Sequence, residues 1–400
     1  MLVALLLNFS CAQSAPPLET IIYRAAKVYT SDEAGMINNG ALVVRDGKIV
    51  EVGRASAVRV PVGARVVELG SVWLVPGLVE PHCHVAGSLG DLNDGVYLSN
   101  PELATTQVVE PDNPYLKDAV AGGVTTALLI PGSGNNMSGF GTLVKTSGTT
   151  VEEMIVRAPG SLKIAQAGNP ERYSWGVGRA LMNWNTRDTL QKGLAWAEAY
   201  RQGLTEFNPR YQNFIGLEDR SVPISVHTQI YQVVLMTITM LGRDLKLKPF
   251  IDHGEFEAWT LGPLAVEYGV PLMIGPRSIH FDRRDSHIQG LAAGWRDTGG
   301  AGAVVGYNTD SPVLPEEELF YQGALGVHYG AGTGEDALHG MTANAAKALL
   351  ITDVAGRLAP GLDADFVAWT GDPVDPRSHV LRTWIRGELV YDAARDGRRY

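Results

Sequence analysis

Short apolar runs recur through the middle of the chain, and segments with helical spacing separate them. Side chains alternate along a strand, so a compact apolar run bounded by Gly, Pro or charge reads as a strand buried on both faces. Eight such runs are present: 72–79, 125–130, 142–145, 161–164, 223–227, 249–253, 271–275 and 302–306. A helical pattern over 189–202 separates the fourth and fifth runs, and another over 334–350, with a break near Thr342, follows the eighth. Strands alternating with helices predict βα units and a parallel sheet, and eight strands is the number that closes a (β/α)8 barrel.

Both ends of the chain read differently. Residues 21 to about 70 hold short strands without helices, with Asp46-Gly47 as a two-residue hairpin turn before Lys48-Ile49-Val50-Glu51-Val52. Near the C-terminus, 364–369 and 380–385 are strands, and Arg386-Gly387-Glu388 turns into Leu389-Val390-Tyr391. Strand layers at both termini predict a composite β-sandwich from 18–75 plus 356–400, with the barrel over 76–355. The fold class is therefore α/β.

Residues 1–17 begin with a short apolar stretch followed by small residues, the pattern of a secretory signal peptide, and too short to span a bilayer. They lack a basic start, so an apolar arm is the alternative; the corresponding expectations are export or a cytoplasmic location. Cys11 and Cys83 are the chain's two cysteines, so removal of a signal would leave no disulfide within it. A composition of 45% hydrophobic and 19% charged residues is that of a globular protein, and a net charge of -10 argues against a nucleic-acid partner. The expected partner is a small-molecule substrate, with a homo-oligomer left open.

Ionisable groups collect at the ends of the predicted strands. His82-Cys83-His84 follows the first apolar run, and period-two alternation puts its two imidazoles on one side with Cys83 on the other. Lys163 ends the fourth strand, His227 the fifth and His253 the sixth, and Asp310 lies just beyond the eighth. In a parallel barrel the C-terminal strand ends carry the active site. Four histidines and a carboxylate suit zinc or a similar divalent ion, which lowers the pKa of a coordinated water toward about 7. Asp310 is placed to take that water's proton and pass it to a leaving group.

The chain is similar to members of the amidohydrolase superfamily, specifically a secreted, imidazolonepropionase-like branch. The resemblance runs from about residue 21 onward and rests on several motifs. They are Pro76-Gly77-Leu78-x-x-x-His82-x-His84, Ala121-Gly122-Gly123-Val124-Thr125-Thr126, His227 and His253. Further on stand Asp310-Ser311-Pro312, Thr342-x-Asn344-x-Ala346 and Gly361-Leu362-Asp363-Ala364-Asp365. The resemblance implies a distorted TIM barrel with a composite β-sandwich, and a metal-activated hydroxide attacking an amide or cyclic amide carbon. It implies one or two divalent ions, with His82, His84 and Asp310 on one and His227 and His253 on the other. Lys163, carbamylated, would bridge them; Lys145 at the end of the third strand competes for that role. A dipeptidase or prolidase-like activity is the alternative function, and a silent binding protein on the same fold a more distant one.

Departures from the family pattern fall beside these residues. Glu80 stands where an aspartate usually precedes the first histidine, and Leu362 replaces a lysine. After the fourth strand, Ala167-Gly168-Asn169-Pro170-Glu171-Arg172 replaces Gly-Glu-Asn-Pro-Lys-Arg. Asn169, Arg172 and Arg277 are the candidate substrate contacts, Arg277 because a loop arginine can hold a carboxylate or carbonyl, with a salt-bridged loop arginine as the equal alternative. Tyr173, Trp175 and Tyr231 are candidates for the pocket mouth. His280, His287, His328, His339 and His379 read as ordinary loop or helix residues.

Overall fold

Gly77 divides the first apolar run between two sheets. The strands of the protein, seen in a computed structural model that describes residues 19–87, 92–166, 168–173 and 177–398, form two eight-stranded sheets and a hairpin. The predicted signal stretch 1–17 with Cys11, and Trp175, lie outside the described residues. Strands β1 (Thr20–Tyr29), β2 (Met36–Arg45), β3 (Lys48–Arg54), β4 (Arg65–Glu68) and β5 (Trp73–Pro76) belong to the terminal sheet. Immediately after Gly77, β6 (Leu78–Cys83) opens the barrel. A Cβ on Gly77 would stand 2.0 Å from Thr125 Oγ1, so no larger residue fits this junction.

The barrel continues with β7 (Val124–Leu129), β8 (Met137–Lys145), β9 (Ile155–Ala165), β10 (Ile224–Thr228), β11 (Pro249–His253) and β12 (Leu272–Ile274). The hairpin β13 (Ile279–Asp282) and β14 (His287–Gly290) intervenes before β15 (Val305–Tyr307) completes the barrel. The hydrogen-bonded order is β15-β12-β11-β10-β9-β8-β7-β6. Beyond β15, the Ser311 carbonyl accepts a 2.7 Å hydrogen bond from His84 N and narrows the remaining gap.

One expectation fails here: β8 pairs antiparallel with both β7 and β9, so the sheet is not wholly parallel. Residues 130–136 are all that join β7 to β8, whereas a parallel crossover needs a dozen or more residues. The reversal sends the end of β8, and Lys145 with it, to the bottom of the barrel. Lys145, fully buried, pairs with Asp365 and, at 3.0 Å, with Asp363. The lysine that competed for the bridging role is therefore a clamp between the barrel and the terminal sheet.

That sheet takes its last strands, β16 (Phe366–Trp369), β17 (Val380–Ile385) and β18 (Glu388–Asp392), from the C-terminus. β16 pairs antiparallel with β5, so the two ends of the chain meet in one sheet. Alternation sorts its faces: Phe366 packs with Tyr23, Leu42, Leu74 and Trp384, while Val367 and Trp369 join the core of the barrel helices. The helical stretch near 340 is interrupted at Gly340–Asn344 by a π-helical turn, in which Thr342 Oγ1 donates to Leu338 O and meets Ser31 Oγ at 2.8 Å. Among the described residues, no helix is long and apolar enough to cross a membrane.

Candidate metal centre

At the top of the barrel, β6 delivers His82 and His84, β9 Lys163, β10 His227 and β11 His253, and the loop after β15 delivers Asp310. His82 Nε2 and His84 Nε2 each stand 3.1 Å from the same atom, Asp310 Oδ1. Lys163 Nζ lies 3.2 Å from His82 Nε2. His253 Nε2 faces His227 Nδ1 at 2.8 Å, and the His82 and His253 ring centroids are 5.1 Å apart. The six residues thus converge on one space. Cys83, on the other side of β6, gives its thiol to Leu128 O at 3.4 Å.

Hydrogen bonds fix how the rings present themselves. A carbonyl only accepts, so His84 Nδ1 donates to Ile130 O at 3.0 Å and His253 Nδ1 donates to Gly275 O. As neutral rings, both then carry bare Nε2 atoms toward the centre. His82 Nδ1 faces a carboxylate, Asp252 Oδ2 at 2.8 Å, which turns the bare Nε2 of its neutral ring inward as well. Two bare nitrogens and an anionic oxygen around one point repel one another until a cation lies among them. Buried His227 Nε2, with no hydrogen-bond partner, adds an unsatisfied imidazole. This donor set fits a divalent metal.

The electrostatics agree. Burial holds His84 and His227 below the ordinary imidazole range and takes His253 down to about 4, so these three rings are neutral at pH 7. For His82 the burial effect is outweighed by Asp252, which draws its pKa up. Burial would raise Asp310, but the His82 and His84 imidazoles set against its carboxylate hold it well below the usual carboxylate range, the anionic form that a cation among these atoms requires. Lys163 is brought to about 8 by burial, so its neutral amine is far more accessible than that of a surface lysine.

Asp252 and Glu80 position the ligands. Asp252 accepts from Ser225 Oγ besides His82 and lies 4.0 Å from Lys163 Nζ. A sequence reading that stops at His253 misses it. Strict alternation would put neighbours 252 and 253 on opposite faces, but His253 leaves the extended region with φ +76°. Both side chains consequently reach the same centre. The signal was an acid at the end of an apolar strand, which is costly to bury without a partner. Glu80 Oε1 accepts from His82 N at 2.9 Å, and its Oε2 accepts from Thr309 N at 2.9 Å and Thr309 Oγ1 at 2.7 Å. It ties β6 to the loop bearing Asp310.

The substrate candidates are dispersed. Asn169 lines a cavity of about 540 Å³ together with His84, Asp310 and Ser133, and Ser133 Oγ meets His227 Nδ1 at 3.1 Å. Arg172 is exposed on the short helix Asn169–Tyr173. Arg277 pairs with buried Glu255 at 3.1 Å and lies over the Phe256 ring, 5.3 Å from its centroid. Glu255, absent from the sequence-derived candidates, is raised to about 7 chiefly by burial. Tyr231, half-exposed, begins the helix after β10.

Behind β6, buried Glu316 sits beside the Cys83 thiol with no well-formed hydrogen bond to either carboxyl oxygen, and burial raises its pKa from 4.5 to about 8. Its folded pKa exceeds its unfolded one, so its contribution is complete below about pH 4.5 and is lost as pH rises toward 8. Glu316→Gln removes this penalty. The variant is expected to be more stable than the parent by about 2–4 kcal/mol near pH 7.5, with the gain vanishing near pH 4.5. Urea unfolding at the two pH values reads the difference; an equal gain at both would mean that Glu316 does not titrate as described.

Comparison with known proteins places this arrangement. A profile of the amidohydrolase family matches residues 264–390. An imidazolonepropionase from Pseudomonas savastanoi pv. phaseolicola is 24% identical over 393 residues, covering 90% of this chain and 94% of its own. The amidohydrolase tasK of Hapsidospora irregularis is 23% identical over 400 residues, and the match spans 88% of this chain but 40% of that longer protein. Among solved structures, an amidohydrolase from Thermotoga maritima MSB8 superposes with a TM-score of 0.81 at 27% identity, covering 93% of this chain and 100% of that one.

Proposed function

The chain is a member of the amidohydrolase superfamily, and we propose that it hydrolyses a cyclic amide or related non-peptide carbon–nitrogen bond in a metal-dependent reaction. The observation that carries this reading is the convergence of bare His82 and His84 nitrogens on Asp310 Oδ1, each at 3.1 Å. His82, His84 and Asp310 would hold one ion and His227 and His253 a second, with carbamylated Lys163 between them; zinc suits these donors. When bound, the metal supplies Lewis-acid activation of water and of the scissile carbonyl.

The remaining chemistry belongs to side chains. Asp310 is ionised through the neutral range, so its carboxylate is available to accept the proton of the attacking water. A carbon–oxygen bond forms, the carbon–nitrogen bond breaks, and Asp310 returns the proton to the departing nitrogen. Asp252 orients His82, and Glu80 fixes the spacing between His82 and the Asp310 loop. Carbamylation would change Lys163 from a cation that repels metal into an anion that binds it.

A screen of cyclic imides, N-acyl amino acids and dipeptides with zinc-loaded protein tests the assignment. Ring opening of a cyclic amide, abolished by a chelator and restored by added zinc, is the expected result. Cleavage confined to dipeptides would replace it with a peptidase, and absence of chelator-sensitive hydrolysis throughout the screen would reject it.

A further inference from the structure

We propose that the cavity above Asp310 selects substrates uncharged where they fill it, cyclic ureides or similar ring amides, and discriminates against rings and peptides bearing a carboxylate there. The inference deepens the hydrolase reading and rests on it for the bond that is cut. The cavity, about 540 Å³, has His84 and Asp310 at its inner end and Asn93, Ser133, Asn135 and Asn169 among its walls. Among the described residues that line it, none is Lys or Arg. The sequence offered Arg172 and Arg277 as substrate contacts, Arg277 for a carboxylate or carbonyl, but neither lines this space. Arg277 pairs with Glu255, and Arg172 is exposed on its helix.

A carboxylate taken from water into this cavity would find no side-chain cation among its described lining residues to repay its desolvation. A ring with alternating C=O and N–H groups asks for what carboxamides and a hydroxyl provide, paired donors and acceptors without net charge. The wall is also held in place. A Cβ on Gly132 would lie 2.0 Å from Asn93 Oδ1, so the Asn93 carboxamide packs directly on the backbone of that loop. Ser133 Oγ rests 3.1 Å from His227 Nδ1, and Asn135 Nδ2 donates to Asp94 O. Groups fixed before binding give up little entropy when a ligand arrives.

A matched pair of probes tests the selection: dihydrouracil, and the same ring carrying a carboxylate at C6. Titration calorimetry on zinc-loaded protein gives Kd for each; where one ring is turned over, its Kd is taken instead from protein freed of metal, and the other ring is measured on that same sample. The neutral ring is expected to be preferred at least ten-fold. Asn169→Arg, which places a cation on the wall, is expected to narrow that ratio at least ten-fold by gaining affinity for the carboxylate. Equal or tighter binding of the carboxylated ring by the parent protein overturns the inference, as does binding of neither probe. Preferential binding of the neutral ring without hydrolysis of any substrate would instead count against the hydrolase reading and leave the selectivity standing.

Discussion

Asp310→Asn is expected to lower kcat by at least about 10³-fold while the protein stays folded and keeps most of its metal. The amide is nearly isosteric with the carboxylate, so the 3.1 Å approaches to His82 and His84 can persist through its oxygen. What disappears is the ionised oxygen to which the proposed mechanism gives the proton of the attacking water. General acid–base groups typically contribute 10²–10⁴ in rate, and Asp310 is given both halves of the transfer. Its φ of +52° is unusual for a residue other than glycine, and such backbone persists where the surroundings over-determine it. Steady-state kinetics with metal analysis of the same sample check the result. Unaltered turnover would remove Asp310 from the chemistry, and loss of metal in proportion to activity would reduce it to a ligand.

The second large effect separates two buried lysines. Lys145→Met is expected to destabilise the protein by roughly 3–5 kcal/mol, because it strips a buried cation from Asp363 and Asp365. The lower end of that range is favoured, since Lys48 Nζ still stands 2.7 Å from Asp363. The folded fraction is expected to retain activity, because the change lies at the opposite end of the barrel from His82 and Asp310. Lys163→Met is expected to do the converse, losing turnover with little loss of stability, since an apolar chain can fill its site. Denaturant unfolding and kinetics on both variants read the contrast. Activity lost equally in both, or stability lost only at Lys163, would contradict these placements.

Much of the centre was legible because strand geometry is simple. The period-two rule places His82 and His84 together without reference to any distant residue, and both do reach Asp310 Oδ1. Apolar runs marked the barrel strands, although 72–79 proved to span two sheets, since hydrophobicity does not register a change of sheet at Gly77. The direction of β8 was hidden because a strand buried on both faces has the same pattern in either direction; the short connection 130–136 was the available clue. Long-range pairing was not legible. A salt-bridged Arg277 was among the readings, but nothing marked Glu255 as its partner, nor Asp363 and Asp365 as those of Lys145, because those contacts depend on how the barrel closes and how the terminal sheet docks. The Gly361-Leu362-Asp363-Ala364-Asp365 motif, read as a family mark, contributes the carboxylates of that docking clamp.

The central claim is that this chain is built to hold a catalytic metal. Its most direct test is the metal content of the purified full-length protein, compared with that of a variant carrying His227→Ala and His253→Ala. About one to two equivalents of a zinc-like divalent ion in the parent, with at least one lost in the variant, is the predicted result. A well-folded parent that holds none, even after dialysis against zinc, would contradict the account.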